Sequence, residues 1–403
     1  MKHTGTSENL AFCSSVMLYL VKKTDKDLRG KYMAQTDQPD LHTDMASEAE
    51  GVKSQEMLLN MGPQHPSTHG VLRLVLSLEG ETITDCTPII GYLHRGMEKI
   101  FENRTLMQGI RYTDNSDYLS PMLCEIAYVG AAEQLMGLEP PRRAQYIRLL
   151  VGEMQRIASH LVGVGTYLLD LGAFTPVIYA FRDREGIMGL FEALTGSRFT
   201  VNYQRVGGVL HDFPKGWLRE CEAFLNQVEK GLDEMEQLVV GNEIFQSRTQ
   251  GVGYIDASQA TAYGLTGPMA RGSGIAWDLR VNRPYMAYRE VPVNMQVRQE
   301  GDCFARNAVR MQEMRESVRL CRVAIDKMPP GAIAARVPIA LRPPRGETYF
   351  AIENILFHFL AHQHTTRASG HFFLYTSRLG QANLLDLKCR VGSCHLLHKE
   401  SGQ

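Results

Sequence analysis

At 403 residues the chain is long enough for one large domain or two closely packed ones. Its 44% hydrophobic and 22% charged residues are ordinary for a globular protein, and a net charge of −1 argues against a dedicated nucleic-acid binder, which carries a basic face. No run approaches the ~20 apolar residues of a membrane-spanning helix, so any membrane role is expected to be peripheral.

The eight cysteines are scattered and form no CxxC pair, which reads as reduced thiols rather than a disulfide framework. Leu10 to Val21 is a largely apolar run behind Lys2 and His3. It superficially resembles a signal-peptide core, yet it lacks a small-x-small cleavage site and is followed by Lys22, Lys23 and Lys26. The preferred reading is a start placed too early, with Met33 or Met45 nearer the true beginning. Residues 33–55 are polar and acidic, so 1–55 is expected to be a disordered or mis-assigned extension.

From Glu56 the chain becomes patterned. Leu72, Leu74, Leu76 and Leu78 alternate, then Glu79-Gly80-Glu81 turns into Thr82–Thr87, a β-hairpin signal. Ser120-Pro121 predicts a helix cap, with the helix running to about Met136. After Pro140-Pro141 a long helix is predicted from Arg142 to Asp170, its buried face marked by Ile147, Leu150, Met154, Ile157, Leu161 and Val164. Further helices are predicted over Arg184–Leu194, Gly216–Val240 and Asp302–Lys327, with Gly251–Gly274 a structured loop around a short helix. The fold class is therefore mainly α-helical with a small N-terminal β-sheet.

Several segments carry candidate chemistry. Gly62-Pro63-Gln64-His65-Pro66-Ser67-Thr68-His69-Gly70 describes a rigid loop able to hold an imidazole in place, or a turn with no chemistry. Asp117-Tyr118-Leu119 stands at a helix mouth, where a tyrosine ordinarily buries its ring and bonds its hydroxyl locally. On the long helix His160, Gly163, Tyr167 and Asp170 fall within a sector of about 80°, with Glu153 and Arg156 near the same side. Unpaired buried charge is costly, so the stripe is either a buried ion-pair network or the polar lining of a cavity that handles protons. Phe181-Arg182-Asp183-Arg184-Glu185 reads as a charged helix start, with Gly207-Gly208 downstream. Arg306, Arg310, Glu313, Arg315 and Glu316 read as a solvated salt-bridge face.

Taken together, GPQHPSTHGVLRL, GYLHRGMEK, EMQRIASHL…LLDLGAFTP, YAFRDRE, NYQRVGG and GD…QEMRES resemble the 49 kDa subunit family of respiratory complex I, a proton-pumping NADH:quinone oxidoreductase. The match runs in order from about Glu56 to Asn354, which divides the chain into 1–55, a family-like domain 56–354 and an atypical tail 355–403. The resemblance implies a fold like the large subunit of nickel–iron hydrogenases with its metal site lost, in keeping with the absence of CxxC pairs. It implies that His69 and Tyr118 bind the quinone headgroup, menaquinone or ubiquinone, with Asp170 paired to the histidine. His160 has no role that the resemblance carries over. NADH and the iron–sulfur clusters belong to partner subunits, and none is expected on this chain. The implied setting is a hetero-oligomer with the other complex I subunits, above all the carrier of the terminal iron–sulfur cluster and the membrane arm. It would lie on the cytoplasmic side of the inner membrane.

The chain departs from the family pattern in three places. Asn115 and Thr200 stand where many relatives carry an arginine and a histidine, and less positive charge lowers a nearby cluster's potential, which suits menaquinone. The tail 355–403 holds six of the 13 histidines and only two acids, Asp386 and Glu400, and suggests a reading-frame shift after Asn354. Cys389, Cys394, His395 and His398 fit no established zinc spacing. The tail is expected to be irregular or poorly packed. The competing readings are a redox subunit, a non-catalytic scaffold or impaired copy, and a hydrogenase-like enzyme, which the missing CxxC pairs oppose.

Overall fold

The computed structural model describes residues 56–65, 70–239, 241–338, 341–344, 346–355, 358–365, 370–376, 389–390 and 393–394. The expectations for residues 1–55, for His69, His395 and His398, and for most of 377–403 lie outside the described residues.

The alternating leucines build the front sheet. β1 (Glu56–Met61), β2 (Arg73–Glu79) and β3 (Thr82–Ile89) pair antiparallel in that order. Leu74, Leu76 and Leu78 of β2 point inward with Met61 and Cys86, a period-two pattern that closes a small satellite core. The loop between β1 and β2 begins at Gly62, whose φ of 94° suits glycine. A side chain there would meet the Leu72 carbonyl oxygen at 2.1 Å.

Helices make the rest of the core: α1 (Met97–Glu102), α2 (Leu106–Thr113), α3 (Pro121–Met136), α4 (Arg142–Asp170) and α5 (Phe174–Thr195). A two-residue hairpin follows, β4 (Gln204–Arg205) and β5 (Gly208–Val209), then α6 (Trp217–Val239) and α7 (Glu243–Thr249). The glycine-rich stretch holds two short helices rather than one, α8 (Ala257–Ala262) and α9 (Gly267–Arg271). After α10 (Leu279–Asn282) comes the second long helix, α11 (Cys303–Lys327). α4 packs between α5 and α11, and it is buried around its whole circumference from Ala144 to Leu161. That all-round burial explains why polar residues on α4 must find partners.

Three expectations are corrected. α5 begins at Phe174, ten residues before the predicted start, so Arg182, Asp183 and Arg184 sit inside a helix. The face on α11 is not a solvated lace: Arg306, Glu313 and Glu316 are buried, while Arg315 bridges Asp233 and Glu236 toward solvent. The tail is not irregular throughout. β6 (Gly346–Glu353), β7 (His358–Thr365) and β8 (Gly370–Thr376) form an antiparallel sheet in that order, with β7 against α3 and β8 against α1.

Candidate functional site

Tyr118 lies in the short turn that feeds α3. Ser120 does not cap that helix with its side chain; its hydroxyl donates to the Asp117 carboxylate. The same carboxylate accepts from the Leu119 N–H at 3.2 Å and from Asn354 Nδ2 at 3.1 Å. Gln155, on α4, donates to the Leu119 carbonyl at 2.7 Å. The turn is thus tied to itself, to α4 and to the end of β6. The Tyr118 ring is not buried as a helix-mouth tyrosine ordinarily is: it is 44% exposed, with its centroid 6.0 Å from that of Phe199. A narrow cleft beside it is lined by Gln155, Arg184, Met188, Phe191 and Thr200.

Residues 200–204 form the opposite lip. Thr200 has a φ of 48°, rare for a β-branched residue, and its carbonyl accepts from Arg111 at 3.1 Å. Glu125, buried on α3, holds the lip down by accepting from the Tyr203 and Gln204 N–H groups at 2.9 Å and from Asn202 Nδ2. Burial pushes its carboxyl up to about 8, against the pull of those donors.

Behind the turn lies the charged stripe of α4. Glu153 accepts from Arg280 at 3.1 Å, from Arg156 at 3.2 Å, from Ser317 at 2.6 Å and from Tyr288. Burial alone would raise the Glu153 carboxyl, but Arg156 and Arg280 outweigh it and hold the group below the usual range. Arg156 donates to the carbonyls of Glu353 and Asn354 at 2.7 and 3.3 Å. Arg271 bridges Glu313 at 2.8 Å and Glu353 at 2.8 Å. The Glu313 carboxylate meets His160 Nε2 at 2.9 Å. Every one of these is buried, so Glu153, Arg156 and His160 of the stripe belong to an ion-pair network that joins α4, α9, α10, α11 and β6, while Tyr167 and Asp170 of the same stripe are half-buried. A cleft of about 370 Å³ lies elsewhere, between α3, the start of α4 and Phe350.

Comparison with known proteins fixes the family. Residues 170–376 match the model of the respiratory-chain NADH dehydrogenase 49 kDa subunit. A protein of Desulforamulus reducens is 48% identical over 303 residues, covering 75% of this chain and 83% of its own. One of Clostridium beijerinckii is 49% identical over 300 residues, 74% and 81% of the two chains, and one of Geobacillus kaustophilus 48% identical over 303 residues, 75% and 83%. All three are named as the D subunit of NADH-quinone oxidoreductase. The chain belongs to the 49 kDa subunit family of NADH-quinone oxidoreductase.

For a chain of the 49 kDa family, the three residues singled out by resemblance stand as follows. Tyr118 is exposed on its locked turn. Asp170 is the last residue of α4 and is half-buried. His69 lies outside the described residues, and its loop resumes at Gly70, paired with His65. Asn354, Gln155 and Asp117 are not readable from the sequence as a set, because Asn354 meets Asp117 across 237 positions. The family match continues past Asn354 to residue 376, which is also the end of β8. No helix among the described residues is long and apolar enough to cross a membrane, and among them no cluster of three or more metal-ligating side chains is present.

Proposed function

We propose that this subunit provides the quinone site of a proton-pumping NADH:quinone oxidoreductase, within a cavity of the hydrogenase large-subunit type. The observation that carries the reading is Tyr118, whose backbone is fastened at Asp117 and Leu119 while its ring stays exposed beside a cleft where Met188 and Phe191 stand with Gln155 and Arg184. Reducing a quinone to a quinol takes two electrons and two protons, so each carbonyl oxygen needs a donor that releases a proton. Tyr118 and His69 fill those two places, and Asp170 steadies the imidazolium of His69 so that it remains a proton source near neutral pH. The electrons come from NADH through iron–sulfur clusters that partner subunits hold. This chain works only within that assembly.

The contact with a neighbouring subunit is supported by an exposed apolar stripe on α5, Phe174, Ile178 and Phe181, continued by Leu169. We assign it to the subunit with the terminal cluster, with the membrane arm beyond, on the cytoplasmic side of the membrane. Asn115 is turned to the Asp114 carboxylate and Thr200 lines the Tyr118 cleft. Neither brings positive charge, which favours a low-potential menaquinone over ubiquinone.

The test uses the assembled complex. His69→Ala or Tyr118→Phe should lower quinone reduction by ~10-fold or more, the scale of one positioned proton donor. NADH oxidation by an artificial acceptor, which draws electrons upstream, should persist. If both activities fell together, the residues would be structural and the assignment wrong. A second reading, an impaired scaffold, is favoured by the histidine-rich composition after Asn354. Re-reading the gene at that codon decides it: a family-like ending in another frame means a frame shift.

A further inference from the structure

Tyr118 has two side-chain torsions, so the place its hydroxyl reaches is set by how its backbone is held. Asp117 and Leu119, on either side of it, are fixed by groups from elsewhere in the chain. Asn354 is fully buried at the end of β6, and its carboxamide spans two bonds: Oδ1 accepts from the Ile355 N–H at 2.8 Å and Nδ2 donates to Asp117 at 3.1 Å. The Asn354 carbonyl is itself held by Arg156 of α4 at 3.3 Å. Gln155, adjacent to Arg156 in sequence, is buried and donates to the Leu119 carbonyl at 2.7 Å. Its orientation is dictated by that contact, since a flipped amide would set oxygen against oxygen. Its Oε1 has no hydrogen-bond partner, and the side chain lines the Tyr118 cleft.

We infer that Asn354 and Gln155 are positioning residues for Tyr118: from β6 and α4 they fix the turn so that the phenol is presented to the quinone at one height and angle. The inference rests on the reading of Tyr118 as a quinone ligand. It gives the far end of the family-like region a task at the site. Without Asn354, Asp117 keeps its bonds to Leu119 and Ser120 but loses its link to β6. Without Gln155, the Leu119 carbonyl is released from α4. Misplacement of a reacting group by about 1 Å costs on the order of 100-fold, so partial loosening should be visible as a change of about 10-fold.

The experiment compares Asn354→Ala, Gln155→Met and Tyr118→Phe, singly and with each positioning variant combined with Tyr118→Phe, in the complex assembled with the full chain. Quinone KM and kcat are read relative to NADH oxidation by an upstream acceptor. Amide exchange at Leu119 is read beside that of the α4 core. The expected result is a quinone KM raised about 10-fold by Asn354→Ala or Gln155→Met, no further loss when either is added to Tyr118→Phe, and faster exchange confined to Leu119. Additive losses in the Tyr118→Phe background would overturn the inference, as would unchanged exchange at Leu119. If Asn354→Ala fails to assemble, Gln155→Met carries the same test alone. If Tyr118→Phe is without effect on quinone reduction, the quinone-ligand reading fails, while the exchange at Leu119 still decides whether the turn is held as described.

Discussion

His160 sits in the middle of α4 with Nε2 given to Glu313 and Nδ1 buried without a hydrogen-bond partner. Burial drives its ionisation below the ordinary histidine range; the Glu313 carboxylate pulls it up, and Arg156 on its own helix and Arg310 on α11 push it down again. The imidazole therefore stays neutral to lower pH in the folded chain than in the unfolded one. Unfolding lets it bind a proton near pH ~6.5, so the unfolded state holds more protons below that point. Stability should be full above pH ~6.5 and fall as pH drops toward the folded value. Glu313 runs separately: burial would raise it, but Arg271 and His160 hold it at about 2, so its contribution is lost as pH falls from ~4.3 toward 2. His160→Gln keeps a donor for Glu313 and removes the titration. Melting temperatures measured from pH 7.5 to 5 should decline less steeply for His160→Gln than for the original chain. Superimposable profiles would mean that folding leaves the His160 ionisation unshifted. At this scale the sequence exposes the residues but not their pairings. Glu153, Arg156 and His160 stand out on an apolar helix, yet their network closes over long separations. Arg271 meets Glu353 across 82 positions, Arg280 meets Glu153 across 127 and Arg156 meets Glu353 across 197. The choice between network and cavity needs those partners.

Elements are legible where local rules and packing agree. Pro140-Pro141 and the spacing of buried residues place α4 from Arg142 to Asp170 as observed. The start of α5 escapes such a reading because Phe174, Ile178 and Phe181 leave apolar side chains on the outside, so its first turns have no polar face to mark them. α11 is legible as a helix, but its arginines and glutamates read as surface, because a mixed-sign helix looks alike whether its partners are water or buried ions. The joint between α3, α4 and the β4–β5 hairpin shows the energetic consequence. Arg148 is buried and donates to Glu133 at 2.9 and 2.7 Å and to the carbonyls of Arg205 and Gly208 at 2.9 Å. Glu133 also accepts from the Gly207 N–H at 2.7 Å. Gly208 is small by necessity: a side chain there would meet the Ile333 carbonyl oxygen at 2.1 Å. Arg148→Met would leave Glu133 buried with one donor and strip two carbonyls, and should cost ~3–5 kcal/mol in chemical denaturation. Glu133→Leu in that background should restore part of the loss, since a buried ion pair exchanged whole for apolar groups is often neutral. A loss below ~1 kcal/mol for Arg148→Met would show that water reaches the joint and supports Glu133 in place of the arginine.

For the whole molecule the open question is what the ending does. Its composition changes abruptly after Asn354, with histidines in place of acids, but the backbone does not stop there as structure. β6 pairs with β7 through eight residues, from Gly346 opposite Thr365 to Glu353 opposite His358, and β7 pairs with β8 through seven. β7 therefore covers the hydrogen-bonding edge of the strand that delivers Glu353 to Arg271 and Asn354 to Asp117. An unpaired strand edge is both a local weakness and a template for aggregation. Truncation after Ile355 should lower the melting temperature, promote aggregation and speed amide exchange at Ile352 to Asn354. Since Asn354 ties the Tyr118 turn, exchange at Leu119 should rise with it. Truncation after Thr376, which keeps all three strands, should preserve β6 and the Leu119 amide. Light scattering and hydrogen exchange on the two truncations and the full chain make the comparison. If truncation after Ile355 matched the full chain in both, β7 and β8 would contribute nothing to β6, and the ending would be appended sequence without a part in the site.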